Sequence, residues 1–179
     1  MLFRSEIPLL VVLLTAALKA GGAGASEFSL AQVVSYQQAN GSFGLNITMI
    51  PALLSFLCFI PGTMGCVPFD LPEAEPELLE GPLLEYSGSL LAMFNIMSAL
   101  KLVIVTGLGV VLFFPGTVAG GALVNLGWFV FKCLMFMLVA VTLVRTATGR
   151  LRTDQTFKFY LKYPSVLAYV SLGLTLLLK

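Results

Sequence analysis

Apolar residues fall into five runs separated by short polar intervals, at 7–21, 47–66, 90–114, 122–144 and 163–178. A bilayer core about 30 Å thick takes roughly 17–25 helical residues, so each run predicts a membrane-crossing helix, the first and last being the shortest. The expected fold is all-α: a single polytopic membrane domain over 1–179 with five transmembrane helices. The intervals are a Gly/Ser/Gln-rich loop at 22–46, an acidic loop at 67–88, a Pro-Gly turn at 115–121 and a basic loop at 145–162. No repeat of fixed period is visible.

Composition agrees with this pattern. The chain is 58% hydrophobic and 11% charged, against about 45–50% and 25% in soluble domains, and its mean hydropathy is +0.97. A net charge of +1 gives no basis for bulk electrostatic capture of nucleic acid. The chain has no histidine, and its three cysteines, Cys58, Cys66 and Cys133, form no CxxC pair. It therefore offers no zinc, haem or iron–sulfur ligand set, and no metal or cofactor is expected in the chain itself. In and beside apolar runs these cysteines read as small packing residues. Met1 to Arg4 followed by an apolar run looks superficially like a secretory signal, but Glu6 and Pro8 fit that pattern poorly, so the first run is expected to be retained. The Asn46-Ile47-Thr48 sequon abuts an apolar run and is read as chance.

Five crossings put Arg4, Arg145, Arg150, Arg152, Lys158 and Lys162 on one face and Lys19 and Lys179 on the other. The positive-inside rule makes the first face cytoplasmic, so the N-terminus, the acidic loop and the basic loop are expected inside and the C-terminus outside.

The acidic loop holds Asp70, Glu73, Glu75, Glu77, Glu80 and Glu85, six of the nine acidic residues, and no basic one. If Pro72 opens a helical turn, Glu73, Glu77 and Glu80 stack on one face, and Gly81-Pro82 ends it. Like charges so close repel unless some are protonated or paired, which raises the pKa of buried members. A solvated acidic loop is the plain alternative. Leu71, Leu78, Leu79, Leu83, Leu84 and Tyr86, interleaved with the acids, suit a loop packed on protein, and carboxylates of raised pKa at a membrane boundary suit proton uptake.

Lys101 and Lys132 stand about eleven and ten residues into their runs, where a charge costs at least about 2.5–3.5 kcal/mol. Each could be an ion pair fixing helix packing or a relay site; for Lys101 the expected partners are Glu85 and the acidic loop. Glu6 and Arg4 read as an interfacial pair. Arg145, Arg150 and Arg152 with Asp154 read as topology determinants, with docking of a partner or of lipid headgroups as a second role. Met93, Met97, Met135 and Met137 among Phe94, Phe131 and Phe136 read as adaptable packing. No phosphate loop, nucleophile elbow or histidine-based catalytic pair is present.

The run Pro68-Phe69-Asp70-Leu71-Pro72-Glu73-Ala74-Glu75, with Glu77-Leu78, Glu80-Gly81 and Glu85-Tyr86-Ser87-Gly88 after it, resembles the signature loop of one membrane subunit. That subunit is shared by respiratory complex I, as its subunit 1, and the membrane-bound energy-converting hydrogenases. The Glu80-Gly81-Pro82-Leu83-Leu84-Glu85-Tyr86-Ser87-Gly88-Ser89 form and Arg150-Leu151-Arg152-Thr153-Asp154 look like the hydrogenase and formate hydrogenlyase branch. The resemblance implies that Glu73, Glu75, Glu77, Glu80 and Glu85, with Asp70 beside them, are the coupling-loop acids and that Lys101 is the lysine of the following helix. It also implies that nickel–iron and iron–sulfur centres belong to large and small subunits of a cytoplasmic arm, and that antiporter-like membrane subunits move protons or sodium ions. Members of the family usually have eight membrane helices, and this chain resembles the last five, Arg4-Ser5-Glu6 aligning best with the start of the fourth. The first three would then come from another chain or precede a truncated start.

The function this implies is that of a coupling subunit of an energy-converting hydrogenase in a prokaryotic plasma membrane, linking ferredoxin- or formate-driven redox chemistry to ion translocation. The alternatives are the same subunit in a quinone- or sulfur-reducing relative and, from another class, a small membrane anchor or transporter with an acidic docking loop.

Overall fold

The computed structural model describes residues 3–21, 29–65, 88–117, 121–147, 149 and 153–178. Among these residues every regular element is helical. Helix α1 spans Phe3–Gly21 and α2 spans Leu30–Asn40; short 3₁₀ turns at Phe43–Leu45 and Ile47–Met49 lead into α3, Ile50–Met64. Helix α4 is Ser89–Phe113 and α5 is Ala122–Met137, continued by a π-helical turn at Leu138–Leu143 and by α6, Val144–Ala147. Helix α7, Thr153–Lys162, and α8, Pro164–Leu177, complete the chain.

The described residues of all five expected crossings are predominantly helical. Three described stretches are both long and apolar enough to span a bilayer: Ile47–Met64, Ser89–Phe113 and Ala122–Thr146. Helix α1, which contains the first expected crossing, carries Arg4, Glu6 and Lys19 within its 19 residues, and α8, at the last, has only 14 residues, about 21 Å of helix.

Helices α1, α3 and α8 pack on one another, α4 joins through α3, and α5 lies against α4. The core is aromatic at this junction: the Phe56 ring centroid lies 5.8 Å from that of Phe113, 5.9 Å from Phe59 and 6.2 Å from Phe136. Gly109 is required there, because a Cβ would lie 2.6 Å from the Phe56 ring and 2.8 Å from the Phe136 ring. Phe136 is buried, whereas Met93, Phe94, Met97, Phe131 and Met135 are exposed. Phe131 nevertheless stacks on Trp128, with ring centroids 5.5 Å apart.

Two intervals expected as loops contain helices. In 22–46, Ser29 Oγ accepts from the Ala31 N–H at 3.2 Å and starts α2, and Gly41, at φ 91°, ends it. Its buried face is Val33 and Gln37. The basic interval contains α7, whose buried face is Thr156 and Tyr160. Both helices present too narrow an apolar face to read as crossings.

Candidate coupling site at the end of α3

Helix α3 ends in Ile60-Pro61-Gly62-Thr63-Met64-Gly65, where the acidic segment begins, and α4 starts where that segment ends. Pro61 lies inside the helix and supplies no N–H to the carbonyl four residues earlier. Gly65 closes the helix in the left-handed region, φ 63°, its N–H donating to the Pro61 carbonyl.

Side chains from three elements bind carbonyls between Cys58 and Thr63. Thr63 Oγ1 donates back to Phe59 O at 2.8 Å and Ile60 O at 3.1 Å. Lys101 Nζ, reaching across from α4, donates to Thr63 O at 2.6 Å. The Tyr160 hydroxyl on α7 donates to Cys58 O at 2.9 Å. Tyr160 is 4% exposed; burial, with Cys58 adding to it, pushes its hydroxyl well above the ordinary tyrosine range, so it remains a donor at any physiological pH. The Lys101 ammonium meets the negative end of the α3 dipole. The described partner of Lys101 is thus a backbone carbonyl.

Asp70, Glu73, Glu75, Glu77, Glu80 and Glu85 lie outside the described residues, as do the turn expected after Pro72, Arg150 and Arg152. Asp154 belongs to α7, but its side chain is not among those described. Arg145 is exposed on α6, and Glu6 is exposed on α1.

Lys132 has a clear place. Its Nζ donates to Phe114 O at 2.8 Å and to the Gly116 carbonyl, and it lies 5.7 Å from the Trp128 ring centroid. It caps the end of α4, a role that counting residues along α5 alone does not reveal. Lys19 donates to Thr48 Oγ1 and lies 6.0 Å from the Phe43 ring centroid, at the opposite end of α1 from Glu6. Gln37 Nε2 donates to Leu112 O at 3.0 Å, and its Oε1 accepts from the Phe43 N–H at 3.0 Å.

A family model for NADH dehydrogenase matches residues 1–176. The chain belongs to that family, the complex I subunit 1 family. An NADH-quinone oxidoreductase subunit of Methylococcus capsulatus is 36% identical over 138 residues, covering 75% of this chain and 42% of the relative. A chain of a membrane-bound sulfane sulfur reductase, an archaeal respiratory membrane complex, superposes with a TM-score of 0.76 at 24% identity, covering 97% of this chain and 58% of that one. That superposition establishes the shared fold. The chain spans roughly half the length of these relatives. As a subunit 1 family member it is a multi-pass membrane protein, and these two relatives are named as parts of an NADH-quinone oxidoreductase and of a respiratory membrane complex.

Proposed function

We propose that this chain is the coupling subunit of an energy-converting hydrogenase complex, where ferredoxin- or formate-driven redox chemistry in a cytoplasmic arm drives proton or sodium translocation. The observation that carries this reading is the Lys101–Thr63 contact. It ties the helix that leaves the acidic loop to the last turn of the helix that enters it, so a change of charge in the loop bears directly on a lysine within a membrane-crossing helix. Asp70, Glu73, Glu75, Glu77, Glu80 and Glu85 are the titratable groups of this relay. Arg145, Arg150, Arg152 and Asp154 set topology and dock the arm, on the cytoplasmic face. Nickel–iron and iron–sulfur centres reside in the large and small subunits, and antiporter-like subunits move the ion. The branch assignment rests on the sequence from Glu80 to Ser89 and on Arg150–Asp154.

A second reading, a quinone-linked complex, is favoured by the 36% identity to a protein named for NADH-quinone oxidoreduction. Purifying the complex through this chain separates the two: stoichiometric nickel with hydrogen-dependent activity supports the first, and a nickel-free complex that reduces quinone supports the second. Glu77→Gln and Glu85→Gln keep size and hydrogen bonding while removing the titratable group. In the assembled complex they should preserve electron transfer and lose most ion uptake into vesicles. Uptake at the unmodified rate would reduce the loop to a docking surface.

A further inference from the structure

The last turn of α3 is the point where the acidic segment is rooted, and it is intrinsically weak. Pro61 removes one helical hydrogen bond, and Gly62 and Gly65 lower the helical preference of the same stretch. Left to itself, such an end frays. Here Lys101 from α4 binds Thr63 O in that turn, and Tyr160 from α7 binds Cys58 O one turn before Gly62 while packing on Gly62 itself. The Tyr160 contact is a close fit: a Cβ on Gly62 would overlap the Tyr160 hydroxyl and lie 2.6 Å from Cζ, so glycine is needed for the ring to reach Cys58 O. On α7, Thr156 and Tyr160 are the buried residues, one turn apart, while Lys158 and Lys162 remain exposed. The helix of the basic interval thus rests one face on the protein and reaches into α3 through the Tyr160 phenol.

The geometry points to Tyr160 as a positioning residue that holds the last turn of α3, and through it Lys101 and the root of the acidic loop, in register with the basic-loop helix. The end of α3 and α7, far apart in sequence, then move as one unit: displacement of α7 by a docked partner shifts the carbonyl ladder to which Lys101 is bound. The consequence for ion movement rests on the coupling role proposed above; the mechanical link does not.

The test uses the intact complex carrying Tyr160→Phe, which deletes one hydroxyl, and Gly62→Ala, which displaces the same ring by volume. Tyr163→Phe, at a neighbouring exposed ring, is the control. Hydrogen exchange of the amides of Gly62, Thr63, Met64 and Gly65 should accelerate about tenfold in both variants, the amount that loss of one buried hydrogen bond implies. Exchange in the first half of α3 should stay unchanged. Ions taken up per electron transferred should fall in the same two variants, with electron transfer retained and the control unaffected. Unaltered exchange at the end of α3 in Tyr160→Phe overturns the link. Accelerated exchange with an unaltered ion-to-electron ratio overturns the positioning role and leaves only a structural bond. Failure of the coupling reading itself would show separately, as full uptake in the Glu77→Gln and Glu85→Gln complexes.

Discussion

Lys101 Nζ donates to the backbone carbonyl of Thr63 at 2.6 Å, so a charged side chain of one membrane helix terminates another. A packing bond and a relay site share this geometry but respond differently to substitution. Lys101→Gln retains a neutral donor for the carbonyl, and Lys101→Arg retains the charge. If the lysine belongs to the relay, the Gln variant assembles but loses about tenfold in ion uptake, equivalent to about 1.4 kcal/mol on the barrier, and the Arg variant keeps a larger share. Vesicle uptake measured beside electron transfer distinguishes the cases; equal, near-normal uptake in both variants would identify a packing bond.

Lys132 is a different kind of lysine. Its ammonium binds the carbonyl of Phe114, the residue that caps α4, and that of Gly116 in the turn beyond it. Lys132→Met should lower stability by about 1–3 kcal/mol, the scale of a hydrogen bond from a charged donor, and Lys132→Gln should recover part of the loss. Thermal unfolding in detergent reads both. Ions moved per electron in the surviving assembled complex should equal the unmodified ratio, and a drop there would make Lys132 part of the ion path.

The membrane helices were legible because a bilayer imposes both length and apolarity, and 90–114 and 122–144 meet the demand without ambiguity. The carbonyl partners of Lys101 and Lys132 were not legible, since counting residues along a helix says nothing about the level at which its neighbour ends. Helix α2 has a serine cap and Leu30, Val33 and Gln37 at helical spacing, a signal obscured by the polar residues between them. Helix α7 is similarly hidden within a basic stretch. Tyr160 and Gly62 could be paired only in three dimensions, with 97 residues of chain between them. The acidic motif was legible through its family resemblance, because a run of carboxylates by itself has too many uses.

Gln37 gives the most exacting test of the packing at the end of α4. Only 3% exposed, it donates to Leu112 O and accepts from the Phe43 N–H, joining α2, the 3₁₀ turn after it and the end of α4. Gln37→Leu matches its size and strands both backbone groups, each at about 1–3 kcal/mol. Gln37→Glu keeps an acceptor for Phe43 but, when ionised, turns an oxygen toward the Leu112 carbonyl and buries a charge without a described cation beside it. Only the protonated acid can donate there, so the folded state raises the pKa of this Glu above its unfolded value of about 4.3. Folding then favours the protonated form, and the stability of this variant is greatest below that pH and declines as pH rises through the folded pKa. Melting temperatures compared with the unmodified protein at about pH 4.5 and pH 7.5 should show the Glu variant closer to it at the lower pH and the Leu variant equally destabilised at both. A Glu variant as stable as the unmodified protein at pH 7.5 would mean that the Gln37–Leu112 bond does not hold α2 in place.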